Sequence, residues 1–385
     1  MKLNHKRHAL LLAVLLLGGC SAVDTVQGWI GKSNVVEPAK LREISERVKF
    51  RERWHADLGE TGLGLLQPGL TADAVYGVSG DGRLTRIDRS TGRQVWRVDT
   101  GVEVSGGVGV GDSLVLIGSN KGEVLAYGED GQLRWKSQLS SEVLSAPQVA
   151  EGVVIVRSGD GNIAGLNVAD GTRRWLYERA TPALVVRSHA GVTIQWGVAF
   201  AGFAGGKLAA IRVADGSVLW EVSVSQPRGN TELERISDIT SNPAADDEQV
   251  CAIAFQGRVA CYEGLRGNPL WNRDISSDKG MMLLRKHLYL SDDKGAVMML
   301  DKLSGATLWK NDELFLRDTS TPHALGDFVV VGDYEGYLHA LNRDDGRIVG
   351  RIKLDGSAID APILRVDEGI LVQTRDGDLY SLSIQ

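Results

Sequence analysis

The sequence predicts an all-β fold, an eight-bladed β-propeller with four antiparallel strands per blade. Three observations lead there. The first is a repeated pattern: Gly, a short apolar stretch, Asp or Asn, a turn ending in Gly, and Trp four residues later. It runs Gly82–Trp96, Gly122–Trp135, Gly161–Trp175, Gly206–Trp220, Gly257–Trp271 and Gly295–Trp309. A seventh copy from Gly336 has Gly350 where Trp is expected. The second is the period: from Trp54 to Gly350, successive positions lie 42, 39, 40, 45, 51, 38 and 41 residues apart. That is the length of one four-stranded blade. The third is the pair of unfinished ends. Arg375–Leu382 matches the first half of the pattern and lacks its Trp half, while Phe50–Trp54 is a second half with no Gly before it. Together they make one composite blade of three C-terminal strands and one N-terminal strand. Such closure removes the free sheet edges of an open array.

Within a unit, short strands alternate with turn signals. The third unit reads as strands over Ala146–Ala150, Val153–Ser158, Asn162–Asn167 and Thr172–Tyr177, separated by Asp-Gly-type turns. No sustained helical period follows Trp54. The residues Trp54, Trp96, Trp135, Trp175, Trp220, Trp271 and Trp309 read as structural glue between blades. An indole buries roughly 150–250 Å², which at ~25 cal/mol per Å² is about 4–6 kcal/mol per blade as an upper figure. The propeller is expected over residues 49–385.

The start of the chain reads as a lipoprotein signal over residues 1–19. Lys2, Lys6 and Arg7 precede the apolar run Ala9–Leu17, which is too short to span a bilayer. The run ends Leu17–Gly18–Gly19–Cys20–Ser21, which resembles a bacterial lipobox with Cys20 as the lipidated residue. Ser21 in place of Asp then implies sorting to the outer membrane, on its periplasmic face. Residues 20–48 read as a tether, and its charged part, Pro38–Val48, as a short helix.

The 43 basic and 49 acidic residues give a formal charge of −6, and loss of the three basic signal residues deepens it to −9. That balance argues against nucleic acid and against a basic lipid-binding face, leaving the lipid anchor as the membrane contact. Cys251 and Cys261 flank the turn at Gln256 and read either as a cross-strand disulfide or as two buried thiols. Beyond the signal, the histidines His55, His189, His287, His323 and His339 are scattered singly, without metal-ligand spacing. Asp246–Asp247–Glu248 reads as a solvated turn. Gly107–Val–Gly–Val–Gly111 has no helix after it and fails as a dinucleotide site. No catalytic residues, metal or cofactor are expected.

Uneven repeats mark where loops were lengthened. The steps of 45 and 51 residues are adjacent. The first contains Leu184, Val186 and Arg187; the second contains Glu234, Arg235 and Asp238. Apolar residues beside Arg and acids suit a protein-binding patch.

The lipobox, the eight units, Thr231–Asp238 with Pro243, and Val331–Gly–Asp–Tyr–Glu–Gly–Tyr–Leu–His339 together resemble the BamB family. Its members are propeller lipoproteins of the machinery that folds β-barrels into the outer membrane. The resemblance implies a non-enzymatic scaffold that joins other components of that machinery and binds the periplasmic domains of BamA. It assigns the contact to Leu184, Val186 and Arg187, which match the family's Leu-x-Leu-Arg, and to Asp238. Two departures stand out: Val186 replaces a Leu, and Thr240 stands where a second Asp is expected. A further expectation is that blade edges bind nascent outer-membrane proteins as added strands. The repeat also resembles the tryptophan-docking motif of pyrroloquinoline-quinone dehydrogenases. The adjacent cysteines of those enzymes are lacking here. A quinoprotein dehydrogenase, or a module for another envelope partner, stands as the alternative.

Overall fold

The structure is a computed structural model and describes residues 36–62, 64–182, 184–367 and 369–385. The signal and Cys20 lie outside the described residues. Among those described there is no helix, and the strands form eight separate four-stranded antiparallel sheets. Blade 1 comprises Gly69–Leu70, Ala74–Val78, Arg83–Asp88 and Gln94–Asp99. Blade 2 spans residues 109–138, and blade 3 comprises Gln148–Ala150, Val153–Arg157, Ile163–Asn167 and Arg173–Tyr177, within two residues of the sequence reading; blades 4, 5, 6 and 7 span residues 192–223, 244–273, 281–311 and 323–353. Blade 8 is composite: Leu364–Val366, Gly369–Gln373, Asp378–Ile384 and, from the other end of the chain, Phe50–Asp57. Phe50 pairs with Ile384 and Asp57 with Asp378.

First strands of neighbouring blades approach one another and define the centre of the ring. Middle strands are buried on both faces, as in Leu114–Gly118 of blade 2, and read as continuous apolar runs. Outermost strands alternate, as in Leu133–Gln138. The core is not single. It is divided into eight apolar clusters, one between each pair of adjacent blades, and the last joins Trp54 and Leu371 of blade 8 to Val75 and Ile87 of blade 1.

Each repeat Trp lies in such a seam. The Trp54 ring packs on Gly92 of the next blade, Trp96 on Gly131, and the relation continues to Trp309 on Gly346. These glycines have φ between 66° and 80°, and a side chain there would strike the indole. Every one of the seven indole N–H groups donates to a backbone carbonyl of the following blade, at 2.7–3.0 Å. The turn itself is self-bonded. Asp88 Oδ1 accepts from the hydroxyls and N–H groups of Ser90 and Thr91, led by the Ser90 hydroxyl, and its carboxyl is held at about 2.

A feature the pattern did not reveal aims these rings. In every blade the outermost strand has a bulge at the residue just before the Trp position. Val95, Leu219 and Leu270 are examples: Trp96 pairs with Arg86, but Gln94 pairs with Ile87. A bulge adds twist and redirects the next side chain. Apolar bulged residues that precede a Trp are left exposed, as Val95 at 55% and Leu270 at 45%, whereas Val349, which precedes Gly350, is buried.

The expected helix over Pro38–Val48 is not formed. From Ala39 onward the chain is extended and belongs to the same compact body as the propeller. Local propensity loses here to tertiary contacts. Leu41 and Ile44 pack against the seam of blades 6 and 7, and Val48 against that of blades 7 and 8. Arg317 donates to the Ala39 carbonyl and Arg351 to the Arg42 carbonyl. Both arginines are held by a buried cluster in Val331–His339. Asp333 pairs with Arg317 at 2.7 Å and with His339 Nε2 at 3.0 Å, while Arg351 donates to His339 Nδ1. His339 therefore carries its proton on Nε2, toward Asp333.

Candidate functional site

Both overlong units lengthen the same kind of connection, the crossing from an outermost strand to the next innermost strand. One crossing joins Arg173–Tyr177 to Val192–Gln195; the other joins Val218–Ser223 to Ala244–Ala245. They lie side by side on one face, and hydrogen bonds join them. Val186 N–H donates to Asp238 Oδ2 at 2.8 Å, the Ser188 hydroxyl to the Thr240 carbonyl at 3.0 Å, and Gly191 N–H to Asn242 Oδ1 at 2.6 Å.

Asp238 is the centre of this join, and the structure changes its meaning. It is buried, at 4% exposure. Its Oδ1 accepts from Gly205 N–H at 2.9 Å, so both carboxylate oxygens are taken within the chain. It holds the first crossing in place instead of offering a surface charge. Thr240, at the expected second Asp, uses its backbone carbonyl for the same join.

Leu184, Val185 and Arg187 are exposed, and Val186 is half-buried. The second crossing presents Leu233 at 68% exposure. Glu234 and Arg235 are exposed but already engaged. Glu234 Oε2 accepts from the N–H groups of Asn230 and Thr231, while Glu234 N–H donates to the Thr231 hydroxyl. This is the reciprocal capping arrangement of a single helical turn. Arg235 Nε donates to the Gly229 carbonyl. The Thr-x-x-Glu spacing is a capping signal carried by the sequence; the exposure of Val185 and Leu233 has no such signal.

The segment 186–188 forms a ridge between two cavities. On one side a cleft of about 310 Å³ opens between blades 3 and 4, lined by Glu142, Arg157, Arg179, Val185, Arg187 and Phe203 among others. On the other side the central mouth of the ring, about 410 Å³, is lined by Arg187, His189, Thr240, Lys279 and Asp360 among others. Glu142 is held ionised by the Ser141 hydroxyl first, with the Arg187 charge assisting.

The other sequence candidates are structural. Asp246 and Glu248 form ion pairs with Lys302, at 2.5 and 2.8 Å, so this acidic run is a paired contact to blade 6 and not merely solvated. Cys251 and Cys261 are direct cross-strand partners, fully buried, with Cα atoms 4.0 Å apart and sulfurs joined. His189 Nδ1 faces the Leu144 carbonyl at 3.1 Å.

The model of the family described as outer membrane protein assembly factor BamB matches residues 80–311. The chain belongs to the BamB family. Relatives of that name from Nitrosomonas eutropha and Burkholderia pseudomallei are 40% and 37% identical. They cover 98% and 96% of this chain and 95% of their own length. The crystal structure of BamB from Moraxella catarrhalis superposes with a TM-score of 0.80 at 25% identity, over 87% of this chain and 99% of that one. A quinohemoprotein alcohol dehydrogenase from Comamonas testosteroni shares the fold, with a TM-score of 0.70 at 13% identity, over 86% of this chain and 76% of its own. That likeness reaches the propeller and no further.

Proposed function

We propose that this BamB-family chain is a non-enzymatic scaffold of the outer-membrane protein assembly complex. It is held to the periplasmic face of the outer membrane by a lipid on Cys20, and it docks on the periplasmic domains of BamA. The observation that carries the reading is the join at Asp238. It fixes the crossing at residues 184–188 to its neighbour, so that Leu184, Val185 and Arg187 project from a rigid base. Preorganised apolar and Arg side chains on a braced loop are what a docking surface needs, because little conformational freedom is lost on binding. Glu234 and Arg235 shape the adjoining loop and present Leu233 beside their own charges.

Arg187→Glu tests the surface. Reversing a charge at the contact costs ~2–4 kcal/mol of binding, or roughly 30- to 1000-fold. Co-purification of this variant with BamA at the wild-type yield would refute the assignment. A dye-linked dehydrogenase assay with added quinone and calcium tests the absence of catalysis; quinone-dependent turnover would overturn it.

A further inference from the structure

Blade 3 departs from the repeat at one place that neither the spacing nor the docking loop explains. Four residues before the turn Gly, the other blades carry uncharged residues, as at Gly118, Gly202 and Ser291; blade 3 carries Arg157. Arg157 ends the strand Val153–Arg157, and its guanidinium stands in the wall of the cleft behind residues 184–188. The Nη1 atom is out of contact with solvent and has no hydrogen-bond partner. The residue as a whole is half-buried, with the Nη1 end enclosed, and desolvation pulls the group down to about 10.

Its neighbours make the omission specific. The Arg157 guanidinium lies 5.2 Å from the centroid of the Phe203 ring, and Arg179 lies 5.3 Å from the same ring. Arg179 has its counter-ion, Glu221. Arg157 has only the ring. A cation–π contact does not replace the hydration and hydrogen bonds that the enclosed Nη1 end gives up. Buried polar groups are otherwise satisfied, so an unsatisfied one at a cavity wall points to a missing ligand.

We propose that Arg157 is the receptor for one carboxylate side chain, an Asp or Glu of the protein that docks over residues 184–188. The inference rests on the docking reading above and deepens it. A planar guanidinium fits a carboxylate with two parallel bonds. Glu142 on the same wall disfavours a dianion such as phosphate. Leu184, Val185 and Arg187 at the rim would be covered on docking, sealing the pair from water and strengthening it.

The test is binding of the purified periplasmic domains of BamA to the full lipoprotein in detergent, for wild type and the variants Arg157→Met, Arg157→Lys and Arg187→Glu. Arg157→Met removes a half-buried charge that has no counter-ion and keeps much of the volume. It should melt at or above the wild-type temperature while binding roughly 30-fold or more weaker, mainly through faster dissociation. Arg157→Lys keeps the charge and should recover part of the loss. Sodium phosphate and sodium acetate should leave the melting temperature of wild type unshifted relative to Arg157→Met. Wild-type affinity in Arg157→Met, alongside weakened Arg187→Glu, would overturn the inference and leave the docking reading standing. A lower melting temperature for Arg157→Met would assign the residue a structural role. A saturable phosphate-dependent shift would assign the pocket to a free anion. Failure of wild type itself to bind would remove the docking reading, and the inference with it.

Discussion

Val48 occupies the space that a side chain on Gly350 would need. A Cβ at position 350 would sit 2.7 Å from Val48 Cγ2 and 2.8 Å from the Val48 carbonyl oxygen. This accounts for the one repeat without its Trp. Elsewhere the Trp rests on the turn Gly of the next blade. In blade 8 that turn does not exist, because its last two strands, Asp378–Ile384 and Phe50–Asp57, come from opposite ends of the chain. The segment entering from Ala39 fills the seam instead. Arg47 N–H donates to the Val349 carbonyl at 2.8 Å, and Lys49 and Gln385 exchange backbone bonds.

Gly350→Trp should therefore destabilise the protein, although the repeat favours Trp. Overpacking against Val48 costs about 1–3 kcal/mol, seen as a lower midpoint in urea unfolding. A chain starting at Lys49 should also be less stable than the longer one, and Gly350→Trp should cost it little more. Additive losses would show that the two features are uncoupled.

Asp238→Asn replaces an acceptor pair with a group that has only one acceptor. Val186 N–H and Gly205 N–H cannot both be satisfied, and a buried unpaired group costs about 1–3 kcal/mol. Hydrogen exchange at residues 184–188 should rise well above wild type while the blade strands stay protected. Unchanged exchange there would mean that Asp238 does not brace the loop.

Acid should weaken the fold before the carboxylates titrate. Burial, aided by the Arg365 charge, lowers His323 from 6.5 to about 4, and burial lowers His189 and His339 as well. A lowered histidine is neutral in the folded state and protonated sooner in the unfolded state. Its contribution is present above pH 6.5 and is lost as pH falls toward 4, roughly 3 kcal/mol for His323 alone. Unfolding free energies across this window should slope accordingly, and His323→Gln should flatten the slope. An equal slope in that variant would place the titration elsewhere.

Cys251 and Cys261 should give no free thiol in unreduced, denatured protein isolated from the periplasm. Replacing both with Ala should cost on the order of 2–3 kcal/mol, the loop-closure value for a short bridge. Two thiols per chain would place the pair in the reduced state.

Much of the ring was legible because each blade repeats one local rule. Gly at a positive φ, Asp at a self-bonded turn and Trp at a fixed distance are short-range requirements, so spacing exposes them. The bulge before each Trp was not legible, because an extra residue in an outer strand changes pairing without changing composition. The tether was misread for a related reason. Ala39–Val48 has the residues of a helix, but its backbone is claimed by Arg317, Arg351 and Val349.

By itself, the sequence determined the number of blades, the way the ring closes and the two crossings that are longer than the rest. These follow from period and count, which need no contacts. Only the tertiary structure decided what the named residues do. Asp238 is separated from Val186 by 52 positions and becomes its buried partner. Arg157 meets Phe203 across a seam and is left without a counter-ion. Burial and pairing between blades are properties of the closed ring, and no local pattern encodes which polar group will be satisfied there.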